Sequence, residues 1–566
     1  MPLVEVRISD LEDLIGKRLP LEALTKYIVM LKGEIEHVEG DILEYEATHD
    51  RPDLFSAEGL ARAIKGLAEI SPGLRRFDVR EGDSEVLVNK IDYRPYVACA
   101  IVRNVVLTEE AIRQLMQLQE KLHMTYGRKR KKVSIGMYDL DKIDPPVYYK
   151  AMPKEEIRFV PLDMERELTA DEILRLHPKG IEYGDILRGK KHYPILVDSQ
   201  GVVLSMPPII NSEDTKVTVK TRDVFIDTTG TSLNDVLQLL TIITTSIVER
   251  APEGYIETIK LRYPDGNVIM APQLNERHMK LEVDYVNETL GLNLSMDEVS
   301  HYLAMMRFGT SGRFKDTIEV IVPSYRLDVL HPIDLVEEVA MAYDYERLIP
   351  ELPKTHVTIG SIDPLEFFSR KVRDIMIGLG FQEVLNYMLS SKELLVHRMR
   401  RKAFQLVEVE NPVSERFSVL RDSLLPGLLY VFSMSKGYGY PQRIFEVGDV
   451  AIIDPSKENR VREERHLSAA IASSKVTLVD ALVVLNSLAR SLGVPIAYAP
   501  PSGNRRLPSF IEGRCGLILL EGREELGVVG EIHPEVIENF GLTVPIAAFE
   551  INLDKLLMAY EKIHAS

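Results

Sequence analysis

The sharpest local chemistry in the 566-residue chain lies in the run SYRLDVLHPIDLVEEVAMAY, residues 324–343. Asp334 stands where a helix is expected to begin, and Glu337 and Glu338 follow three and four residues on. The three side chains therefore share one side of the first helical turns. Asp328 is expected to end a strand and to be brought close by a short loop through Pro332. Four carboxylates so near one another repel unless a hard cation lies between them, and Mg²⁺ prefers oxygen ligands of this kind. Asp334 with Glu337 is equally a D-x-x-E capping pattern, which the helix macrodipole favours without any ion. From the residues alone both readings stand.

Other chemistries are less well supplied. Cys99 and Cys515 are the only cysteines and are far apart, which excludes a disulfide framework or a cysteine zinc site and fits a reducing, cytoplasmic setting. His49, His331 and His533 have no partner at ligand or triad spacing and read as structural. The net charge of −17 argues against nucleic acid by charge alone, yet the basic residues are bunched. Arg128, Lys129, Arg130, Lys131 and Lys132 are consecutive, and Arg398, Arg400, Arg401 and Lys402 form a second cluster. Each is also what an ordinary solvated face looks like.

The elements that must position these residues fall into four blocks, since this length exceeds what one core supports. Residues 1–85 read as a small α/β unit: a strand alternating through Val4, Val6 and Ile8, a helix near Leu21–Leu31, and a second helix capped by Ser56. Residues 86–262 alternate strands with turns, Asp198–Gly201 marking a hairpin, and close on an almost wholly apolar helix from Ser232. Residues 268–350 mix helices with one strand, TIEVIVPSYRLDV, and Pro350 and Pro353 form the next linker. Residues 356–566 make the largest domain, opening with the helix EFFSRKVRDIMIGLG. No apolar run approaches the roughly 18 residues that span a bilayer, and the acidic start MPLVEVRISDLEDLIG is unlike a signal peptide.

The acidic run, Tyr325-Arg326-Leu327-Asp328 followed by Asp334 to Ala340, resembles the B5 domain of phenylalanyl-tRNA synthetase β subunits. Four further motifs follow that family's order: Arg51-Pro52-Asp53 with Ser56, Gly59, Ala61 and Arg62; Ser134 to Asp141; Asn411-Pro412 with Ser414, Glu415, Leu420-Arg421 and Ser423 to Leu428; and Phe445 to Gly448 with Gly530 to Pro534. The resemblance implies a multidomain α+β chain of the short archaeal or eukaryotic-cytosolic type. Its parts would be an N-terminal B1-like α/β unit, a B3/B4-like editing domain, a helix-rich B5-like domain, and a C-terminal class II synthetase-like antiparallel-sheet domain. It also implies Mg²⁺ at Asp328, Asp334, Glu337 and Glu338, an α2β2 heterotetramer with a separate α subunit that binds phenylalanine and ATP, and tRNA(Phe) as a further partner.

The last domain is expected to have kept its shape and lost its chemistry. A class II site needs an arginine in a Gly-x-Gly-x-Gly-x-x-Arg stretch, and the matching LTVPIAAFEINLDKLLMAY has neither the glycines nor the arginine. Gly437 to Arg443, the nearest echo, reads as a loop before a strand. Hydrolysis of mischarged Tyr-tRNA(Phe) is the chemistry the resemblance leaves to this chain. An apolar pocket rejects an added hydroxyl poorly, so a second sieve is useful. Ser205, Asn211 and Ser212 in LSMPPIINS, with Asp227 and Thr229 in FIDTTGT, are polar groups set in apolar strands that suit such a pocket. They also suit turns and caps. No Ser–His pair is near, which points to an attacking water, and the Arg128–Lys132 cluster could guide the tRNA acceptor end. Two rivals remain at this point: a free-standing trans-editing hydrolase, and an architectural subunit with a decayed pocket.

Overall fold

The computed structural model describes residues 2–352, 355, 357–402, 404–501 and 506–564. Pro353, one end of the expected linker, and the outermost residues of the expected last domain (356, 565 and 566) lie outside these. The chain divides into two compact units, Met1–Pro353 and Lys354–Ser566.

In the first unit the strands Leu3–Arg7, Ile42–Glu46 and Glu34–Glu39 form a small antiparallel sheet. Its first strand ends at Arg7, because Ile8 begins the helix Ile8–Ile15, so the expected third strand position is helical instead. The helix Ala57–Leu67 is capped as expected, Ser56 Oγ accepting from Gly59 N at 3.4 Å.

The centre of this unit is a ten-stranded mixed sheet running from Ile210–Asn211 at one edge to Val133–Asp139 at the other. Next to that second edge lie Val224–Gly230 and then Tyr96–Arg103. The helices Glu109–Met124 and Leu233–Ile247 pack on this end. Leu233–Ile247 buries Val236 and every residue from Leu239 to Ile247, as its near-continuous apolar sequence requires. The Asp198–Gly201 hairpin joins His192–Val197 to Val203–Met206, with Gly201 at φ 89°, a left-handed geometry that favours glycine.

A third sheet has Thr317–Val322 between Arg277–Glu282 and Gly309–Phe314. The expected single strand through TIEVIVPSYRLDV therefore stops at Val322, where Pro323 follows and cannot donate to a ladder. Asp328 consequently lies in a loop rather than at a strand end. The helix Pro332–Tyr343 begins two residues before the expected Asp334, with Pro332 at its first position.

The second unit is a seven-stranded sheet, antiparallel apart from the short edge strand Gln382–Glu383. Along Ile546–Asn552, Ala547, Phe549 and Ile551 face the core under Pro364–Gly378, Leu478–Leu492 and Leu553–His564. Ile546 and Ala548 face the opposite core with Leu425–Met434, as the period of two demands. Gln442 opens a strand directly after the Gly437–Pro441 loop. No helix among the described residues is long and apolar enough to cross a membrane.

Candidate functional site

At the Val133–Asp139 edge the sheet opens into a cavity of about 300 Å³, lined by Gly136, Tyr138, Ser205, Asn211, Asp227 and the Pro207–Pro208 turn among others. Register explains the gathering. Asp227 pairs with Gly136 and Thr229 with Ser134, and residues two apart on a strand share a face. Opposite Asp227 there is no side chain, so its carboxylate reaches across Gly136 to Tyr138. A Cβ on Gly136 would lie 2.1 Å from Tyr138 Oη and 2.2 Å from Asp227 Oδ1. Gly136→Ala is therefore expected to push both groups out of place and close the cavity. The domain should stay folded in circular dichroism while losing its ligand.

Tyr138 Oη donates to Asp227 and lies 2.8 Å from Ser205 Oγ. A phenol has one hydrogen, already committed to the carboxylate, so Ser205 is the donor in the second contact. Asp227 is 2% exposed, and burial pushes its carboxyl up to about 6, with Tyr138 and the Arg94 charge pulling partly the other way. Tyr138 itself is driven well above the usual phenol range by burial and by the Asp227 charge.

Thr229 serves a different purpose from the one its sequence context suggests. Its Oγ1 accepts from Arg94 Nε at 2.9 Å, and Arg94 Nη2 donates to Ser134 Oγ at 2.8 Å. Thr229 does not line the cavity; it anchors a buried arginine, held down to about 10 by burial, behind Asp227. Asn211 and Ser212 both line the cavity; Asn211 donates weakly to Met137 O at 3.4 Å, and Ser212 Oγ donates to Val160 O at 3.3 Å.

The basic run Arg128–Lys132 is split by its backbone. Arg128, Lys129 and Arg130 have φ of 47°, 54° and 63°, a left-handed turn that non-glycine residues rarely adopt. It turns Arg130 inward, where Nη1 donates to Ile209 O at 2.8 Å and Nη2 to Glu120 at 2.5 Å, so Arg130 braces the cavity wall. Arg128, Lys129 and Lys131 stay exposed.

His123 is buried beside this wall. Its Nε2 accepts from Ile135 N at 2.8 Å, and burial lowers it to about 4, so it is neutral and carries its proton on Nδ1 beside Glu120. With Nε2 occupied it cannot deprotonate a serine. His331 and His533 each accept from a backbone N–H at a helix start, at 3.2 Å. A sequence signal for the Gly136–Tyr138 part of the cavity is Gly136 itself, a glycine inside a strand pattern, which marks close approach.

The acidic run is distributed among protein partners. Arg326, 1% exposed, donates to Asp328 Oδ1 from Nε at 2.9 Å and to Glu338 Oε2 from Nη1 at 2.9 Å. Burial alone would raise Asp328, but Arg326 holds it down at about 2. Asp334 accepts from the N–H groups of Leu330 and His331 at 2.7 Å each, closing a capping box. Glu337 lies 3.3 Å from Lys32 Nζ. The arrangement brings Asp328 and Glu338 together on a guanidinium and leaves Asp334 and Glu337 to other work. As placed, the four do not converge as an ion would require. Among the described residues, the acids that do converge are Glu34, Glu36 and Glu46.

Comparison with known proteins decides the family. The chain is 44% identical over 561 residues to the phenylalanine–tRNA ligase β subunit of Thermofilum pendens, covering 99% of each. It is 42% identical to that of Pyrococcus furiosus, covering 98% of this chain and all of that one. The chain belongs to the phenylalanine–tRNA ligase β-subunit family. Family models match it in three stretches: a B3/4 domain at residues 105–240, a tRNA synthetase B5 domain at 279–345, and a phenylalanyl-tRNA synthetase β-chain CLM domain at 349–553. A crystal structure of an N-terminal fragment of the phenylalanyl-tRNA synthetase β subunit from Pyrococcus horikoshii matches with a TM-score of 0.58 at 39% identity. It covers 60% of this chain and 99% of that one. The multidomain α+β architecture expected from sequence is that of the β-subunit family, and the cavity is lined by residues within its B3/4 stretch.

In the CLM stretch a broader cavity of about 950 Å³ is lined in part by Lys392, Arg398, Arg416 and Arg421. Three of these cations face acids: Lys392–Glu408 at 2.7 Å, Arg398–Glu393 at 3.3 Å and buried Arg421–Glu446 at 2.6 Å. The strand before the last helix contributes Glu550, which accepts from Ser423 Oγ at 2.7 Å and from the N–H groups of Leu424 and Leu425. His466 lies 2.8 Å away; burial would lower it, but Glu464 and Glu550 hold it up at about 9. This junction, where the family resemblance would place a phosphate-binding arginine, is acidic and fully committed.

Proposed function

We propose that this β subunit clears tyrosine from mischarged Tyr-tRNA(Phe) in the 300 Å³ cavity, while a separate α subunit binds ATP and phenylalanine and performs the charging. The observation that carries the first part is Asp227, a buried carboxylate at the cavity wall backed by Tyr138 and Ser205. The volume suits one amino-acid side chain. A tyrosine hydroxyl would donate a second hydrogen bond to Asp227 beside that of Tyr138, which a phenylalanine ring cannot supply, so the preference favours the wrong amino acid.

Hydrolysis then proceeds by water. Its oxygen bonds to the ester carbonyl carbon, the bond to the ribose oxygen breaks, and a proton passes to that oxygen, giving tyrosine and tRNA(Phe). No side chain of the cavity is placed as a covalent nucleophile, because Ser205 is committed to Tyr138 and His123 Nε2 to a backbone N–H. Lys179 and Lys216 at the cavity's lining, with exposed Arg128, Lys129 and Lys131 on the adjacent turn, supply cations for the acceptor-end phosphates. An ordered pocket opposes the reading of a decayed editing site, and full-length likeness to ligase β subunits opposes a free-standing hydrolase.

The committed acids of the CLM cavity support a non-catalytic role for that domain beside the α subunit, in a cytoplasmic α2β2 assembly. Mg²⁺ at Asp328, Asp334, Glu337 and Glu338 is the family reading of those acids. In this arrangement Arg326 already neutralises two of them, so no step is routed through an ion. The chain without its partner is expected to keep its melting temperature in EDTA, and to show no Mn²⁺ paramagnetic signal that Glu337→Gln abolishes. Such a signal would restore the metal.

The test of the editing reading is deacylation by the assembled α and β subunits. Tyr-tRNA(Phe) should be hydrolysed well above the background rate and Phe-tRNA(Phe) spared; equal rates for the two would refute it.

A further inference from the structure

A second polar site lies away from the editing cavity, where the helix Ala57–Leu67 meets the segment after the helix Met296–Met305. A small internal cavity of about 10 Å³ is lined there by Arg51, Asp53, Arg62, Arg307 and Tyr325. That is room for a single species of water or halide size. The four donor side chains are nearly inaccessible: Arg62 and Tyr325 are each 2% exposed, Arg51 3% and Arg307 5%.

Each carries a donor with no partner: Arg51 Nη1, Arg62 Nε and Nη2, Arg307 Nε and Tyr325 Oη. Their other groups are engaged. Arg51 Nε and Nη2 hold both oxygens of Asp53, at 2.9 and 3.0 Å. Arg62 Nη1 donates to Thr245 O at 3.0 Å, and its guanidinium lies 3.9 Å from the Tyr325 ring centroid. Arg307 Nη1 reaches Ser71 Oγ at 3.3 Å. Buried donors left unmade are costly, and a natural protein seldom carries so many in one place.

Two features select the class of ligand. The unsatisfied groups that line the cavity are guanidinium N–H donors and the Tyr325 hydroxyl, so the occupant must accept hydrogen bonds. Charge selects further. Arg51, Arg62 and Arg307 line the cavity, against Asp53 in its lining and Glu249, whose Oε1 lies 3.7 Å from Arg62 Nη1. One guanidinium is in excess, and Arg307 in particular has no acid within ion-pair distance among the described residues.

We infer that this cavity is a binding site for a small monovalent anion, chloride being the abundant one, which ties the N-terminal unit to the Arg307–Tyr325 segment. Gly66 fits this role: a Cβ there would lie 2.7 Å from Arg307 Cδ, so the glycine lets the arginine reach the site. The anion completes the guanidinium cluster, and the join between the two segments becomes tighter when it is bound. The inference does not depend on the editing reading.

Crystals grown in bromide test it directly. Anomalous density is expected in the cavity, within contact of Arg51 Nη1, Arg62 Nη2 and Tyr325 Oη. In solution, chloride or bromide should raise the melting temperature of the first transition by roughly 2 °C or more over gluconate, too large to enter, at equal ionic strength. Tyr325→Phe keeps the ring beneath Arg62 and removes one donor, and should weaken halide affinity several-fold. Arg307→Met should abolish the halide increment while the chain stays folded. A refined water with no anomalous signal, or an equal halide increment in wild type and both variants, would overturn the inference.

Discussion

Asp227→Asn in the assembled enzyme is expected to lower the clearance of Tyr-tRNA(Phe) by on the order of tenfold to a hundredfold, the worth of a hydrogen bond to a charged acceptor. Charging with phenylalanine should be unchanged. The same substitution should stabilise the domain at neutral pH. The Asp227 carboxyl is raised from its ordinary value to about 6 by burial, so the folded state holds the proton more tightly than the unfolded one. Its favourable contribution is present below about pH 4 and is lost as pH rises through about 6. Above that the buried charge costs on the order of 1–3 kcal/mol, which Asn removes. The pH profile carries the same signature: clearance by wild type should fall below about pH 6 as Asp227 takes up its proton, and that step should be absent in Asp227→Asn. A variant that is less stable at neutral pH and retains full clearance would remove Asp227 from the account.

The chain purified without its α subunit is expected to give no phenylalanine-dependent ATP–pyrophosphate exchange and no charging of tRNA(Phe). Developing phosphate charge needs cations aimed at it. In the CLM cavity Lys392, Arg398 and Arg421 are paired with Glu408, Glu393 and Glu446, and the last strand presents Glu550 with His466. Adding the α subunit should restore both activities. Robust exchange by the β chain alone would show that those cations are available after all.

The order of blocks and most helices were legible because apolar periodicity and caps are local signals; Ser56 and the helix from Leu233 are where the pattern puts them. The strand end at Val322 was missed because the run after Pro323 stays apolar enough to imitate a strand. In the pocket, Ser205, Asn211 and Asp227 were legible as polar residues within apolar strands. Tyr138 was hidden among ordinary strand aromatics, and Arg94 among surface-type charges, until register set one against Asp227 and the other against Thr229. In the B5 stretch a capping box does form, but one turn earlier than the Asp334/Glu337 pattern: His331 is the cap, Asp334 reaches back to it, and Glu337 pairs with Lys32. Sequence could not show that Arg326, in the loop two residues before Asp328 and twelve before Glu338, gathers those two carboxylates to itself. Pairing of that kind is decided by tertiary placement.

The most direct measurement is a crystal structure of the β subunit with a non-hydrolysable 3′-tyrosylamino-adenosine. The phenol should lie in the 300 Å³ cavity with its hydroxyl within hydrogen-bond distance of Asp227. A ligand bound elsewhere, or one whose hydroxyl points away from Asp227 into solvent, would contradict the account.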